Sequence, residues 1–244
     1  MNEQSNAPMS LPEPSGVAGW FSTWMTAVTK PNEQTFATMA EHPDAMSNSR
    51  AFIWIFLAGT VSALINGVFQ SILELAGFSV QTPGLADLFG STERGIAFTL
   101  GVTICISPIA GVLGVLFFAI GVGIVQWVAK MFKGTGTFSQ LAYTMAAISL
   151  PVTLVSSILT PFSSIPYINI CTGLLSLVIL VYSIVLELMA IKGVNKFGWG
   201  QAAGSLFLPV IVLVCCLTIP IIGAMRLLGP AIGNTFSTIQ NSLP

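Results

Sequence analysis

Four long stretches without a charged residue constrain this chain more than any other feature. They cover residues 51–73, 95–129, 134–186 and 197–225. A helix needs about 20 apolar residues to cross the hydrocarbon core of a bilayer, which is about 30 Å thick, and each stretch reaches that length. Charged residues make up only 7% of the chain, against about 25% in an ordinary soluble domain. We therefore predict an all-α integral membrane protein, because a spanning helix satisfies its own backbone hydrogen bonds.

Two of the four stretches need interpretation before the spans can be counted. The third is 53 residues long, which is too long for one crossing, and Pro161 and Pro166 mark a turn inside it. The second predicts one crossing near residues 109–129, preceded from Ile96 by a segment that is either re-entrant or part of one long tilted helix. The other two stretches predict one crossing each. The result is a bundle of five transmembrane helices at about residues 51–75, 96–129, 140–160, 168–191 and 203–228, followed by a short external tail over residues 229–244.

The basic residues predict the orientation. Lys and Arg collect in the short cytoplasmic loops of membrane proteins. With five spans, six basic residues fall on the side of the N terminus and two on the other side. The first group is Lys30, Arg50, Lys130, Lys133, Lys192 and Lys196, and the second is Arg94 and Arg226. We therefore predict a multi-pass protein of the cell membrane with a cytoplasmic N terminus and an external C terminus.

The segment ahead of the first span divides into two parts. Residues 1–16 are polar and contain prolines, so a disordered tail without a cleavable signal peptide is expected. Residues 17–50 predict amphipathic juxtamembrane helices, because apolar side chains recur there at helical spacing. The membrane-interface residues of the first of these helices would be Trp20, Phe21, Trp24 and Met25, with the rings in the headgroup layer. The same spacing also fits a helix packed on the protein's own spans.

Few polar side chains lie inside the predicted spans. Glu187 is the main ionisable one, and an ionisable residue at such a position is a functional candidate. It is expected to snorkel toward the cytoplasm or to pair with Lys192 or Lys196. Asn66 and Gln70 are four residues apart and share a helix face. They would either hydrogen-bond to a neighbouring helix or join Glu187 in an intramembrane polar site.

The inventory for catalysis is nearly empty. His42 is the only histidine, and no Asp occurs in a predicted span, so no catalytic, metal or cofactor site is predicted. Nucleic acid is excluded as a partner because phosphate binding needs clustered Lys and Arg. Four cysteines fall inside spans and are expected to be small buried hydrophobic residues. They are Cys105, Cys171, Cys215 and Cys216.

Two further patterns concern packing and the short loops. Small residues four apart let helices approach closely, which predicts helix contacts at Ala110 with Gly114 and at Ala119 with Gly123. The loops after the second and fourth spans, which we call the first elbow (residues 130–140) and the second elbow (residues 192–201), share an order of lysines, glycines, phenylalanine and glutamine. Their lysines are predicted to lie at the membrane interface, near anionic headgroups. These are Lys130, Lys133, Lys192 and Lys196, and a partner-binding surface is the alternative.

At these elbows the sequence resembles the Yip family of Ypt/Rab-interacting membrane proteins, in particular its prokaryotic members. The resemblance covers roughly residues 28–228. It rests on residues 31–36, the run GTGTFSQL at 134–141, Tyr143, Leu150-Pro151 and Ile191-Lys192-Gly193. The Asp-Leu-Tyr-Gly-Pro signature that eukaryotic relatives carry before their first span is missing. The resemblance implies a five-span protein with a cytoplasmic N terminus, in a family tied to membrane trafficking and membrane shaping.

Three hypotheses for function follow. The first is a non-enzymatic membrane scaffold or adaptor, in contact with the lipid bilayer and with membrane-protein partners or further copies of itself. The second is a small-solute or ion carrier or channel that uses Glu187 and the proline-kinked spans. The third is an action on membrane curvature through the N-terminal helix that contains Trp20 and Trp24.

Overall fold

The computed structural model describes residues 16–77 and 96–242, and in these ranges it is helical without a strand. Five helices are long and apolar enough to cross a membrane. The prediction of an all-α membrane protein with five transmembrane helices is therefore confirmed. The helices are α1 (Val17–Thr29), α2 (Glu33–Glu41), α3 (Asn48–Leu75), α4 (Ile96–Met131), α5 (Phe138–Leu159), α6 (Ile168–Asn195) and α7 (Trp199–Ser242).

Helix α5 lies at the centre of the bundle. It packs against α3 and α6, and the two short helices α1 and α2 also contact it. Its buried residues run almost without interruption from Leu141 to Leu150. The other spans expose apolar side chains on their outer faces, as expected where the surrounding lipid is itself apolar. The four cysteines are exposed on such faces, so the expectation that they are buried was wrong.

The second span is one continuous helix. Helix α4 runs from Ile96 to Met131 with Pro108 inside it, so the segment that precedes the predicted crossing is part of one long helix and is not re-entrant. A proline has no amide hydrogen and leaves the carbonyl four residues earlier without its helical donor. Here that carbonyl belongs to Ile104, and the Ser107 hydroxyl donates to it at 3.1 Å. The helix can therefore pass the proline without an unsatisfied carbonyl in the membrane.

The chain between α5 and α6 reverses direction where the prolines predict a turn. A short 3-10 helix spans Thr160–Ser164 and contains Pro161. At its other end α5 begins with a capping box. The Gln140 amide nitrogen donates to the Thr137 hydroxyl at 3.3 Å, and the Gln140 side-chain oxygen accepts from the Thr137 amide at 2.9 Å. This reciprocal pair satisfies two amides that would otherwise lack partners at a helix start.

The last helix extends well past its apolar part. Helix α7 is continuous from Trp199 to Ser242, whereas the part that qualifies as a candidate span is Trp199–Cys216. Residues 229–242, for which a short tail is predicted, are thus helical. Of the tail predicted over residues 1–16, all but Gly16 lies outside the described residues.

Candidate interaction site at the elbow end

Both elbows lie at one end of the bundle, together with α1 and α2, and we call this the elbow end. Helix α1 packs on α5, while α2 packs on α5 and α6. The chain then enters α3 through a short 3-10 helix at Pro43–Met46. Most of the sequence features singled out above therefore meet on one surface.

The two elbows have the same local structure. Lys133 and Lys196 both adopt left-handed backbone conformations, with φ of 66° and 54°, and such a residue commonly ends a helix. The next helix then begins in the same way in both elbows. Gln140 accepts from the Thr137 amide, and Gln201 accepts from the Gly198 amide at 2.9 Å. The likeness of the two elbow sequences thus reflects a repeated helix–turn–helix geometry.

A buried pair of amide side chains joins the two elbows. The Gln126 amide donates to the Asn195 side-chain oxygen at 3.0 Å, and the Asn195 amide donates back at 3.3 Å. Gln126 also donates to the Gly136 carbonyl at 2.6 Å, and the Thr135 backbone amide donates to the Asn195 carbonyl at 3.2 Å. A Cβ atom on Gly134 would lie 2.5 Å from the Asn195 oxygen, so the glycine is required for this approach.

The sequence predicted no role for Gln126 or Asn195. Both side chains are buried. The available signal was a glutamine inside a charge-free stretch, four residues before Lys130, and an asparagine directly before Lys196. A buried side-chain amide in a membrane protein requires a hydrogen-bond partner. Gln126 and Asn195 lie at equivalent helix ends, so each is a candidate partner for the other.

We expect Asn195→Leu to lower the free energy of unfolding by about 1–3 kcal/mol, because it leaves the buried Gln126 side-chain oxygen without the Asn195 amide that donates to it. Gln126→Leu should cost a similar amount. The double variant should cost clearly less than the sum, since both partners of the bond are then apolar. Unfolding of the purified protein in mixed micelles measures all three. Strictly additive losses would contradict a direct pairing of the two side chains.

Helix α2 rests directly on the end of α6. A Cβ atom on Gly193 would lie 2.6 Å from the Glu33 carbonyl oxygen and 3.2 Å from the Ala37 backbone nitrogen. Only a glycine allows this backbone contact, which gives a physical reason for Gly193 in the Ile191-Lys192-Gly193 motif. Beside it, the Phe36 side chain is fully buried in the core. Helix α2 is therefore fixed to the spans.

Two of the four elbow lysines pair with this helix. The Lys192 ammonium lies 2.5 Å from the Glu33 carboxylate and 4.6 Å from the centre of the Trp199 ring. Its side chain is only 16% exposed. The Lys196 ammonium lies 3.3 Å from the Glu41 carboxylate. A pairing of Glu187 with either lysine, which was one of the two expectations, is not found.

The lysines of the first elbow have a different environment. Lys130 and Lys133 are exposed, and neither forms an ion pair with another described residue. Trp127 lies one turn before Lys130 and is 66% exposed. A tryptophan beside a lysine at a span end is typical of a membrane interface. The interface role predicted for all four lysines therefore remains a proposal, with the better support for Lys130 and Lys133.

Helix α1 packs through two tryptophans on the first span. The Trp20 and Trp24 ring centres lie 6.2 and 5.6 Å from that of Trp54. Trp54 is fully buried and in turn lies 5.0 Å from the Tyr143 ring. Of the two alternatives left open by the sequence, packing on the protein's own spans is thus observed for Trp20 and Trp24. Phe21 and Met25 point away from this cluster and are exposed.

Helices α3 and α4 cross closely at two glycines for which the sequence predicted no contact. A Cβ atom on Gly59 of α3 would lie 3.0 Å from the Gly111 Cα atom of α4, and one on Gly111 would lie 2.8 Å from the Phe56 carbonyl oxygen. The overlooked signal is the small-residue spacing of Thr103, Ser107 and Gly111, each four residues from the next.

The predicted packing residues occupy looser contacts around this crossing. Gly114 and Gly123 each have room for a methyl group, with the nearest neighbouring side-chain atom at 4.0 and 3.8 Å from the added carbon. Ala110 is next to Gly111, and its carbonyl oxygen faces Gly59. Ala119 is half-buried. The close contact of α4 with α3 at Gly111 is thus displaced by one residue from the predicted contact at Ala110.

The three candidates for an intramembrane polar site are not brought together. The Asn66 amide donates to the Ser62 carbonyl of its own helix at 2.9 Å, so the expected bond to a neighbouring helix is not formed. Gln70 lies one turn further from the elbow end and is half-buried. Glu187 is also half-buried but lies eight residues before the end of α6. Asn66 is about 27 Å and Glu187 about 12 Å from the elbow ends of their helices, at 1.5 Å per residue.

The match to a family model agrees with these features. The Yip1 domain model matches residues 25–219. This range contains both elbows, the contact between α2 and α6, and all five candidate spans. No curated protein and no solved structure matches the chain. The chain is therefore a multi-span helical membrane protein that belongs to the Yip1 domain family.

Proposed function

We propose that the chain is a non-catalytic membrane scaffold or adaptor, active in membrane organisation or trafficking, and that its working surface is the elbow end. The observation that carries this proposal is the fixed position of α2. Phe36 is buried, Gly193 allows backbone contact, and Glu33 pairs with Lys192. A rigid surface costs less entropy when it binds a partner than a mobile tail does.

The orientation is part of the same proposal. All six basic residues assigned to the cytoplasm lie at or beside the elbow end: Lys30 between α1 and α2, Arg50 near the start of α3, and four lysines in the two elbows. Lys and Arg collect on the cytoplasmic side of short loops. The elbow end would then face the cytoplasm of a cell membrane, where protein partners or a second copy of the chain can reach α2 and the first elbow.

Gly193→Ala tests the role of the fixed surface. The added methyl group meets the α2 backbone, so α2 should shift and the set of proteins that co-purifies in mild detergent should be reduced. Gly200→Ala is the matched control, because no atom lies within 4 Å of its added carbon, and it should retain the same set. A wild-type chain that consistently purifies alone, or a Gly193→Ala variant that retains every partner, would contradict the adaptor proposal.

A small-solute or ion carrier is the second candidate, favoured by one observation. Glu187 lies inside α6 and forms no ion pair with another described residue. Asn66 gives the carrier no support, because its amide bonds to its own helix. Solute or ion flux in reconstituted vesicles that disappears with Glu187→Gln would favour the carrier over the adaptor.

A further inference from the structure

We infer that α1 is embedded in the lipid leaflet at the elbow end and contacts acyl chains through Val17, Phe21 and Met25. These three residues are called the lipid stripe below. This inference goes beyond the proposed adaptor function, because its partner is the bilayer itself. It adds to the five spans a sixth membrane-contacting element that does not cross.

The surface of α1 divides into three sectors. The lipid stripe has positions i, i+4 and i+8, and its side chains are 71%, 60% and 43% exposed. A second sector contains Trp20, Trp24 and Ala27 and packs on the spans. The third contains Ser22, Thr26 and Thr29 and is polar. The helix carries no charged residue, which is compatible with a position below the headgroups.

A hydrogen bond sets the depth of α1. The Tyr182 hydroxyl donates to the Val28 carbonyl at 2.5 Å. Tyr182 lies 14 residues after Ile168, where α6 begins, and so about 21 Å along the helix. A hydrocarbon core about 30 Å thick that begins at Ile168 would end about 9 Å beyond Tyr182. The C-terminal end of α1 therefore lies within about 10 Å of this core boundary, in the depth range of interfacial helices.

Helix α2 lies outside this layer. Its first residue, Glu33, contacts Gly193, which is 25 residues after Ile168 and so about 38 Å along α6. This position is about 8 Å beyond the same core boundary. Three residues, Lys30, Pro31 and Asn32, connect α1 to α2, and the Lys30 side chain can extend toward the headgroups.

Lipid is the occupant that fits the lipid stripe best. The stripe lies near the depth of Val178 and Val181, which are exposed on α6 within about one turn before Tyr182. Those side chains belong to a candidate span and face acyl chains. An apolar stripe at the same depth, on a helix without charge, is in contact with the same medium. A protein partner or a second copy would have to reach it within the leaflet.

Spin labels on two adjacent exposed positions test the inference. Phe21→Cys and Ser22→Cys would each be made in a full-length chain whose four native cysteines are replaced by alanine, labelled with a nitroxide and reconstituted in phosphatidylcholine–phosphatidylglycerol vesicles. Collision with oxygen, which concentrates among acyl chains, is compared with collision with a water-soluble nickel chelate. Both positions are exposed in the structure, so only the surrounding medium distinguishes them.

We expect an oxygen-to-nickel collision ratio several-fold higher at position 21 than at position 22, and an equally high ratio for Met25→Cys. Equal ratios at positions 21 and 22 would overturn the inference. So would low accessibility of position 21 to both reagents, which would show that a protein covers the stripe. Met25→Cys keeps the test valid if Phe21→Cys alters folding, and either outcome is independent of whether partners co-purify.

Discussion

Trp54→Ala is expected to lower the free energy of unfolding by about 3–5 kcal/mol. Trp54 is fully buried where α1, α3 and α5 meet. Its ring contacts Trp20, Trp24 and Tyr143 with centre distances of 5.0–6.2 Å. Removing the indole leaves a cavity that the neighbouring rings cannot all fill, and it also removes the surface on which α1 packs.

Trp127→Ala is the matched control, because this tryptophan is 66% exposed on α4. Its loss should change the free energy of unfolding by less than about 1 kcal/mol, since no cavity forms. Unfolding in mixed micelles, followed by circular dichroism, measures both variants. A loss of equal size in the two variants would show that Trp54 is not the centre of a packed cluster.

Gly111→Leu should cost about 3 kcal/mol or more, because overpacking at a helix crossing forces the backbones apart. The Cβ atom alone would already clash with the Thr60 hydroxyl and lie 2.8 Å from the Phe56 carbonyl oxygen, a backbone atom that cannot rotate away as a side chain can. Gly121→Leu lies on the same helix with no atom within 4 Å of the added carbon. It should leave stability unchanged, because the new side chain would face lipid.

The same micelle unfolding experiment distinguishes the two glycine variants. A Gly111→Leu variant as stable as Gly121→Leu would contradict a backbone contact between α3 and α4. Retained stability in Gly121→Leu combined with a large loss in Gly111→Leu would show that α4 packs through the face that contains Gly111.

The spans could be predicted because their signal is local. A charge-free stretch of sufficient length identifies a membrane helix whatever its neighbours are. The turn at Pro161 likewise depends on residues close together in the chain. The continuity of α4 past Pro108 was left open, because it depends on the Ser107 hydroxyl satisfying one carbonyl.

The packing face of α4 could not be chosen correctly from its sequence. In a membrane, side chains that face lipid and side chains that face protein are equally apolar, so hydrophobic periodicity does not separate them. Helix α4 has two neighbouring small-residue patterns. The prediction used the one that contains Ala110, whereas the contact with α3 uses the one that contains Gly111. Gly59 on α3, which selects between them, lies 52 residues away in the chain.

The contacts of the elbow lysines were also beyond sequence reasoning. Glu33 and Lys192 are separated by 159 positions, and nothing local distinguishes Lys192, which is paired, from Lys130, which is not. The distinction depends on α2 lying across α6 at Gly193. The two elbows have similar sequences, but only the lysines of the second elbow pair with carboxylates of α2.

Length, apolar composition and the positions of 17 charged residues were enough to determine that this protein is a five-span helical membrane protein, because crossing a bilayer is a property of each segment alone. The tertiary structure decided what the segments do to one another. It joined Gln126 to Asn195, brought Gly59 against Gly111, fixed α2 on Gly193 and placed α1 beside Trp54. These contacts depend on shape and hydrogen bonding between distant segments, and the pattern of hydrophobicity along the chain predicts neither of them.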